Sequence, residues 1–157
     1  MNKLSGYRGY IGSRVYQCGE FPQFVQNMVI RNYCQKHKLA YLLSATEYAM
    51  SGCYMVLQEV VDSIRLVDGI VLFSIFMLPE VAESRFRIYE KVLLSGKTLH
   101  TALEDLSLKS LNDIRAVEVV LNVNRIVMNH TTISTLLSHF VNDDVLKDRQ
   151  ISSNIGS

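Results

Sequence analysis

The run Gly69-Ile-Val-Leu-Phe-Ser-Ile75 constrains the fold more than any other stretch of the chain. It is too short for a buried helix and too continuously apolar for a strand with one wet face. Such a run suits a central strand of a parallel sheet, covered on both sides by helices. The flanking sequence agrees, because short β-branched or aromatic runs alternate with longer segments of helical period. Strands are expected over 7–13, 40–45, 69–75 and 97–103. Phe21-Pro22 opens a helix to about His37, with Phe24, Met28 or Val29, and Tyr33 on its buried stripe. Ser51 caps a second helix over 52–66, which buries Met55, Leu57, Val60, Val61 and Ile64. Pro79 starts a third, to Leu94, with Phe86, Tyr89, Val92 and Leu93 facing inward, and Ser95-Gly96 stops it. Two further helices are expected, one from Ser110 or Asn112 to about Val123 and one from Thr131 or Thr132 to about Phe140.

The chain is 157 residues long, 48% hydrophobic and 20% charged, the balance of one globular domain. The expected organisation is a single α/β domain over 1–145, with a core at 6–108 and a helical extension at 109–145, followed by a flexible tail at 146–157. Sixteen Lys and Arg against fifteen Asp and Glu leave a formal charge of +1, so there is no broad positive field to attract a polyanion, and no nucleic-acid partner is expected. Cys18, Cys34 and Cys53 form no CxxC pair, which argues against a disulfide framework and suits a reducing compartment. No signal-type stretch follows the first residues and the longest apolar run is too short for a bilayer, so the expectation is a cytoplasmic protein with no membrane partner.

In open parallel sheets ligands bind beyond the carboxyl ends of the strands, where loops and helix N-termini converge. Here those ends carry Ser13-Arg14, Thr46-Glu47-Tyr48, Ser74 with Phe76, and Glu104-Asp105. Arg14 is a candidate clamp for a phosphate or carboxylate, against the alternative of a turn with a solvated Arg. Glu47 is a candidate general acid or base, against a role at a helix dipole. His100 and Glu104 share a strand face and form a candidate acid/base pair, against a histidine satisfied in the core. Gln26 is placed to reach the site from the first helix, and Arg31 is a weaker candidate. Cys53 opens the second helix, where a dipole favours thiolate, against an inert buried thiol. The candidate catalytic set is therefore Glu47, His100, Glu104 and Ser13, with Arg14, Gln26, Arg31, Tyr48, Cys53, Ser74 and Phe76 as binding residues. His37, His130 and His139 have no metal-ligand spacing, and the phosphate-loop, dinucleotide and nucleophile-elbow motifs are missing, so neither a metal nor a cofactor is expected.

Several stretches resemble the sporadic carbohydrate cluster family, encoded among surface-polysaccharide and unusual-sugar biosynthesis genes. They are Arg8-Gly-Tyr-Ile-Gly-Ser-Arg14, Pro22 with Gln26-Asn27 and Ile30-Arg31, Leu42-Leu43-Ser44 with Glu47-Tyr48, Met50 through Gly52-Cys53-Tyr54, Asp68-Gly69-Ile-Val-Leu-Phe-Ser74 with Phe76 and Leu78-Pro79, and Leu99-His100 with Ala102-Leu103-Glu104. The resemblance implies an enzyme acting on a sugar phosphate or nucleotide sugar in capsule or lipopolysaccharide synthesis. Proton transfer (epimerisation, isomerisation or elimination) is the chemistry that suits the candidate residues. The alternative is a non-catalytic sugar-nucleotide-binding or scaffold protein of the same pathway.

The order of elements is also similar to the catalytic domain of serine recombinases, whose nucleophilic serine follows the first strand. Ser13 is near that position, but the Y-x-R-x-S pattern is displaced, since the run here is Tyr10-Ile11-Gly12-Ser13. The arginines expected after the third strand are replaced by Phe76-Met77-Leu78-Pro79. A DNA-acting function accordingly ranks last. The expected fold is a mostly parallel four- to five-stranded sheet in a three-layer α/β arrangement, resolvase-like or flavodoxin-like, with a helical C-terminal segment. A homo-oligomer is expected, with apolar residues after 110 serving either the core or a dimer.

Overall fold

The computed structural model describes residues 5–153, with side chains described for 5–132 and for 135. The elements run β1 (Tyr7–Gly12), α1 (Gln23–Lys36), β2 (Tyr41–Glu47), α2 (Met55–Asp62), β3 (Gly69–Leu72), α3 (Ala82–Leu94), β4 (Thr98–Thr101), β5 (Leu106–Leu108) and α4 (Leu111–Ser153). The described chain divides into an α/β unit ending at Glu118 and a helical unit beginning at Val119. The five strands form one sheet in the order β2-β1-β3-β4-β5. The first four are parallel and β5 returns antiparallel to β4. This is the mostly parallel α/β sheet expected from the alternation of elements.

Strand β3 is buried at every position, as its unbroken apolar run requires. Ile70, Val71 and Leu72 are fully enclosed, and Leu57, Val61, Tyr89 and Val92 are buried on the helices α2 and α3. Gly69 sits where β3 enters the sheet between Tyr7 and Thr98. A methyl group there would lie 2.5 Å from the Thr98 carbonyl oxygen and 2.6 Å from the Tyr7 ring, so only hydrogen fits.

Several local expectations are corrected. Phe24, Met28, Met55 and Phe86 are exposed rather than buried. In α1 the inward face is Gln26, Ile30, Tyr33 and Cys34, a stripe that begins with a polar residue and therefore escapes a hydrophobic period. Helix α2 spans only Met55–Asp62, and a short 3-10 turn at Ile64–Leu66 completes the path to β3. Strand β3 ends at Leu72, and Ile75–Met77 form another 3-10 turn. Helix α4 is continuous to Ser153 where two helices were expected. The start of α4 is anchored to α3 by a largely buried ion pair. Arg85 donates from Nε and Nη2 to the two Glu118 oxygens at 2.9 and 2.7 Å, and from Nη1 to the carbonyls of Pro79 and Glu80, while Tyr89 also donates to Glu118. Two-pronged pairing of this kind fixes direction as well as distance. Among the described residues no helix is long and apolar enough to cross a membrane.

Gly69→Ala should lower stability by roughly 1–3 kcal/mol, because the clash is with backbone and ring rather than with the tip of a flexible chain. Urea denaturation would register this as a lower midpoint with unchanged slope. A midpoint equal to that of the parent would mean that β3 and β4 do not pack as described.

Candidate functional site

In this strand order the chain winds away from β1 in opposite directions, which puts the topological switch point between β1 and β3. A crevice is expected beyond their carboxyl ends, between the Ser13 loop and Phe73-Ser74. The protein fills that place with its own side chains. The rings of Phe21 and Phe73 meet with centroids 5.2 Å apart. Gln26, 1% exposed, reaches from α1 and brackets the last residue of β1, accepting from the Gly12 N–H at 3.0 Å and donating to the Gly12 and Phe21 carbonyls at 2.7 Å each.

Glu47 closes the neighbouring strand end. It is 1% exposed and accepts from the Tyr10 hydroxyl at 2.9 Å, from the N–H groups of Tyr48, Val56 and Leu57 at 3.0, 3.3 and 3.0 Å, and from Cys53 Sγ at 3.7 Å. Two of these amides belong to the first turn of α2, whose own preceding residue supplies no side-chain cap. The carboxylate thus caps the helix from across the sheet end, where the dipole favours negative charge. Burial alone would raise the Glu47 carboxyl, but the Leu57 and Tyr48 amides, the Tyr10 hydroxyl and the Val56 amide outweigh it and hold the carboxyl below its ordinary range. Burial, together with the nearby Tyr16 and Glu47, pushes the Tyr10 hydroxyl well above the usual phenol range.

At the β3 end, Ser74 donates to Glu104 at 2.5 Å and accepts from the Phe76 N–H, while the other Glu104 oxygen accepts from the Ile75 N–H at 2.9 Å. Glu104 therefore fastens the loop between β4 and β5 to the turn after β3. His100 lies apart from it, buried in the sheet, with Tyr33 Oη 2.8 Å from Nδ1 and Thr98 Oγ1 2.9 Å from Nε2. Burial, with lesser contributions from Lys109 and His37, lowers the imidazole to about 4. His100 is thus a neutral core histidine at physiological pH. Its partners are Tyr33 and Thr98, and the acid/base pairing with Glu104 is not formed.

Arg14 folds back over the loop before α2. Its Nη1 donates to the carbonyls of Tyr48, Met50 and Cys53 at 3.4, 2.9 and 2.5 Å. The guanidinium stands 4.9 Å from the Tyr16 ring centroid and 4.7 Å from that of Tyr54. Tyr16 in turn rests on Gly12, where a methyl group would fall 1.9 Å from its hydroxyl oxygen. Arg31 is exposed on α1 with its guanidinium over the Tyr41 ring, away from these strand ends. Tyr48 is exposed, and Phe76 and Cys53 are half-buried. Ser13 is exposed and makes no side-chain hydrogen bond among the described residues.

A cleft of about 450 Å³ opens elsewhere, between the starts of α2 and α3, lined by residues that include Ser51, Tyr54, Gln58, Glu80, Ser84 and Arg87. None of the candidates picked from sequence lines it. Sequence reading also missed Tyr10, Tyr33, Tyr54 and the Arg85–Glu118 pair. A periodic tyrosine in a strand or helix gives no sign that its hydroxyl meets a partner some 37 or 67 positions away.

No family model matches the sequence and no curated protein matches it. Among solved structures, the chain is similar to the N-terminal catalytic domain of TP901-1 integrase, at 13% identity and a TM-score of 0.55, over 78% of this chain and 97% of that one. It is also similar to a resolvase family site-specific recombinase from Streptococcus pneumoniae, at 12% identity and a TM-score of 0.56, over 84% of this chain and 97% of that one. The likeness establishes a resolvase-like α/β fold. It also corrects two expectations. The carbohydrate function, catalytic or scaffolding, with its sugar phosphate or nucleotide sugar partner, has no support in any comparison and gives way to neighbours that are site-specific recombinases. The exclusion of a nucleic-acid partner, drawn from net charge, is overturned by the same neighbours. A total near zero does not describe how charge is distributed over a surface.

Glu47→Gln should cost about 2 kcal/mol or more at neutral pH, through the loss of charge-assisted bonds to buried donors. Chemical denaturation would measure this, and an unchanged stability would mean that Glu47 is not the cap of α2. His100 carries a distinct pH signature. The unfolded imidazole protonates near 6.5 and the folded one only near about 4, so between these values the unfolded state binds more protons and stability falls as pH falls. His100→Gln should flatten that slope in urea midpoints measured across the window. A slope as steep as the parent's would assign the acid sensitivity to another group.

Proposed function

We propose that this chain is a DNA-directed domain that uses the recombinase fold to dock on or beside a duplex and does not itself break the phosphodiester backbone. The fold likeness to two site-specific recombinases supports the DNA partner. The observation that carries the non-cleaving part is the turn after β3. Phosphoryl transfer needs fixed positive charge where negative charge develops on the phosphate. In the serine recombinases that the element order resembles, arginines are expected after the third strand. Here Ile75, Met77 and Leu78 are packed into the core at that place. Next to the exposed Ser13, Arg14 commits its Nη1 to three carbonyls and its guanidinium to two tyrosine rings, while Nη2 is buried with no hydrogen-bond partner among the described residues.

Residues 106–157 contain five basic side chains (Lys109, Arg115, Arg125, Lys147 and Arg149) against five acidic ones (Asp113, Glu118, Asp143, Asp144 and Asp148). Few phosphates would be neutralised, so affinity should be low and the dependence on salt shallow. This reading carries a cytoplasmic location with it. A second reading, strand cleavage by Ser13, is favoured by the exposure of that hydroxyl in the loop after β1.

Incubating the protein with supercoiled plasmid and with short labelled duplexes separates the two. Retarded duplex at low salt with no nicked plasmid is the expected result. Nicking that disappears in Ser13→Ala would establish the cleaving reading instead, and no retardation at any salt would remove DNA as the partner.

A further inference from the structure

Right-handed crossovers place α1 on one face of the sheet and α2 and α3 on the other, because β2 lies on one side of β1 while β3 and β4 lie on the other. Asp62 and Lys91 join α2 to α3, and Glu118 joins the start of α4 to α3. Within the α/β unit α1 is therefore a lone ridge. Its inward side is Gln26, Ile30, Tyr33 and Cys34. Opposite them, at the four-three-four spacing of one helix stripe, stand Phe24, Met28, Arg31 and Gln35, all exposed. Phe24 and Met28 are 66 and 61% exposed, on the side of the helix that ordinarily carries charge.

The charge of this segment is one-sided. Fifteen of the 157 residues are acidic, yet none occurs from Phe21 to Thr46, a run that holds Arg31, Lys36, His37 and Lys38. Of the acidic residues that bound the run, Glu20 precedes the helix and Glu47 is buried. Asp105 reaches in from the β4–β5 loop and takes Lys36 and His37 at 2.6 and 2.7 Å, which neutralises the C-terminal end of α1. The ridge before it keeps its charge. The Arg31 guanidinium stands 5.4 Å from the Tyr41 ring centroid, and the side chains of Arg31, Asn32 and Gln35 make no hydrogen bond or ion pair among the described residues. At the strand ends, by contrast, Gln26, Glu47 and Glu104 are all bonded.

We infer that the outward ridge of α1 enters the major groove of duplex DNA, with Arg31 and Gln35 at base edges and Phe24 and Met28 against thymine methyl groups, an assignment that rests on the DNA partner proposed above. The groove is about 12 Å wide and a helix with its side chains about 10–12 Å across, so one unaccompanied helix fits where two packed side by side do not. The exposed residue types match the atoms displayed there. Arginine donates to guanine O6 and N7, glutamine pairs with adenine N6 and N7, and an apolar tip meets the thymine methyl. From Phe24 to Gln35 the ridge is about 17 Å long, the length of about five base pairs. Phosphates line both walls of the groove, and a segment free of carboxylates meets no like charge between them. Lys38, exposed just beyond the helix, adds a cation for the backbone.

Fluorescence anisotropy of the full chain with a short labelled duplex at low salt tests this. Arg31→Glu should weaken binding by about tenfold or more, whereas Arg65→Glu, the same change of charge at an exposed site between α2 and β3, should weaken it by less than about threefold. Both variants should keep the parent's circular dichroism spectrum and urea midpoint. Replacing guanine by 7-deazaguanine, which removes an acceptor from the major groove, should weaken the parent by about tenfold and leave Arg31→Ala unaffected. Duplex RNA of the same sequence, whose major groove is too narrow for side chains to read, should compete poorly. Equal losses in Arg31→Glu and Arg65→Glu, a 7-deazaguanine duplex bound as tightly as the unmodified one, or RNA that competes as well as DNA would overturn the inference while leaving a nucleic-acid partner in place. No binding of duplex by the parent at any salt would remove the DNA partner and this surface together.

Discussion

The carboxylate of Glu47 joins three elements that sequence places far apart. It lies at the end of β2, takes the hydroxyl of Tyr10 from β1, and receives the first amides of α2. A buried charge is stable only where donors surround it, and here four backbone or hydroxyl donors and a thiol converge on two oxygens. The start of α2 is therefore fixed relative to the sheet, and with it the loop whose carbonyls hold Arg14. Removing the charge would free the cap, the loop and the guanidinium together.

The other strand ends follow the same pattern. Gln26 ties α1 to the end of β1, and Glu104 ties the β4–β5 loop to the turn after β3. These are the residue types that catalysis employs, but each is already bonded to the loop or helix start it organises. Polar groups gathered at one end of a parallel sheet thus have two uses, to hold a ligand or to hold the loops. The hydrogen-bond partners favour the second for Glu47, Gln26 and Glu104. Ser13 stands outside this network, and the Arg14 beside it is turned onto the loop before α2 through Nη1.

The sheet was legible in the sequence because apolar runs and turn residues are local signals. The β3 run and the helix after Pro79 could be read within a few residues. The buried face of α1 could not, because its leading residue is Gln26, and its worth depends on Gly12 being folded beside it. Strand β5 was missed because Leu106–Leu108 is three residues long and becomes a strand only by pairing with β4. For the candidate site, sequence named the polar residues at the strand ends but not their partners. Whether Glu47 is a base or a cap is decided by amides ten positions away, and whether His100 is a catalyst or a core residue by Tyr33 on another element. The family resemblance drawn from short stretches pointed to sugars, whereas the three-dimensional arrangement is similar in fold to recombinase catalytic domains.

Native-state hydrogen exchange at three amides tests most directly whether the strand ends are closed. The Gly12, Leu57 and Ile75 N–H groups donate to Gln26, Glu47 and Glu104 respectively, one at each of three strand ends. If these side chains hold the loops, all three amides should be protected to the level of global unfolding, like those of β3. Exchange at rates typical of exposed loops would contradict the account, because it would mean that the side chains are free to face a ligand in an open site.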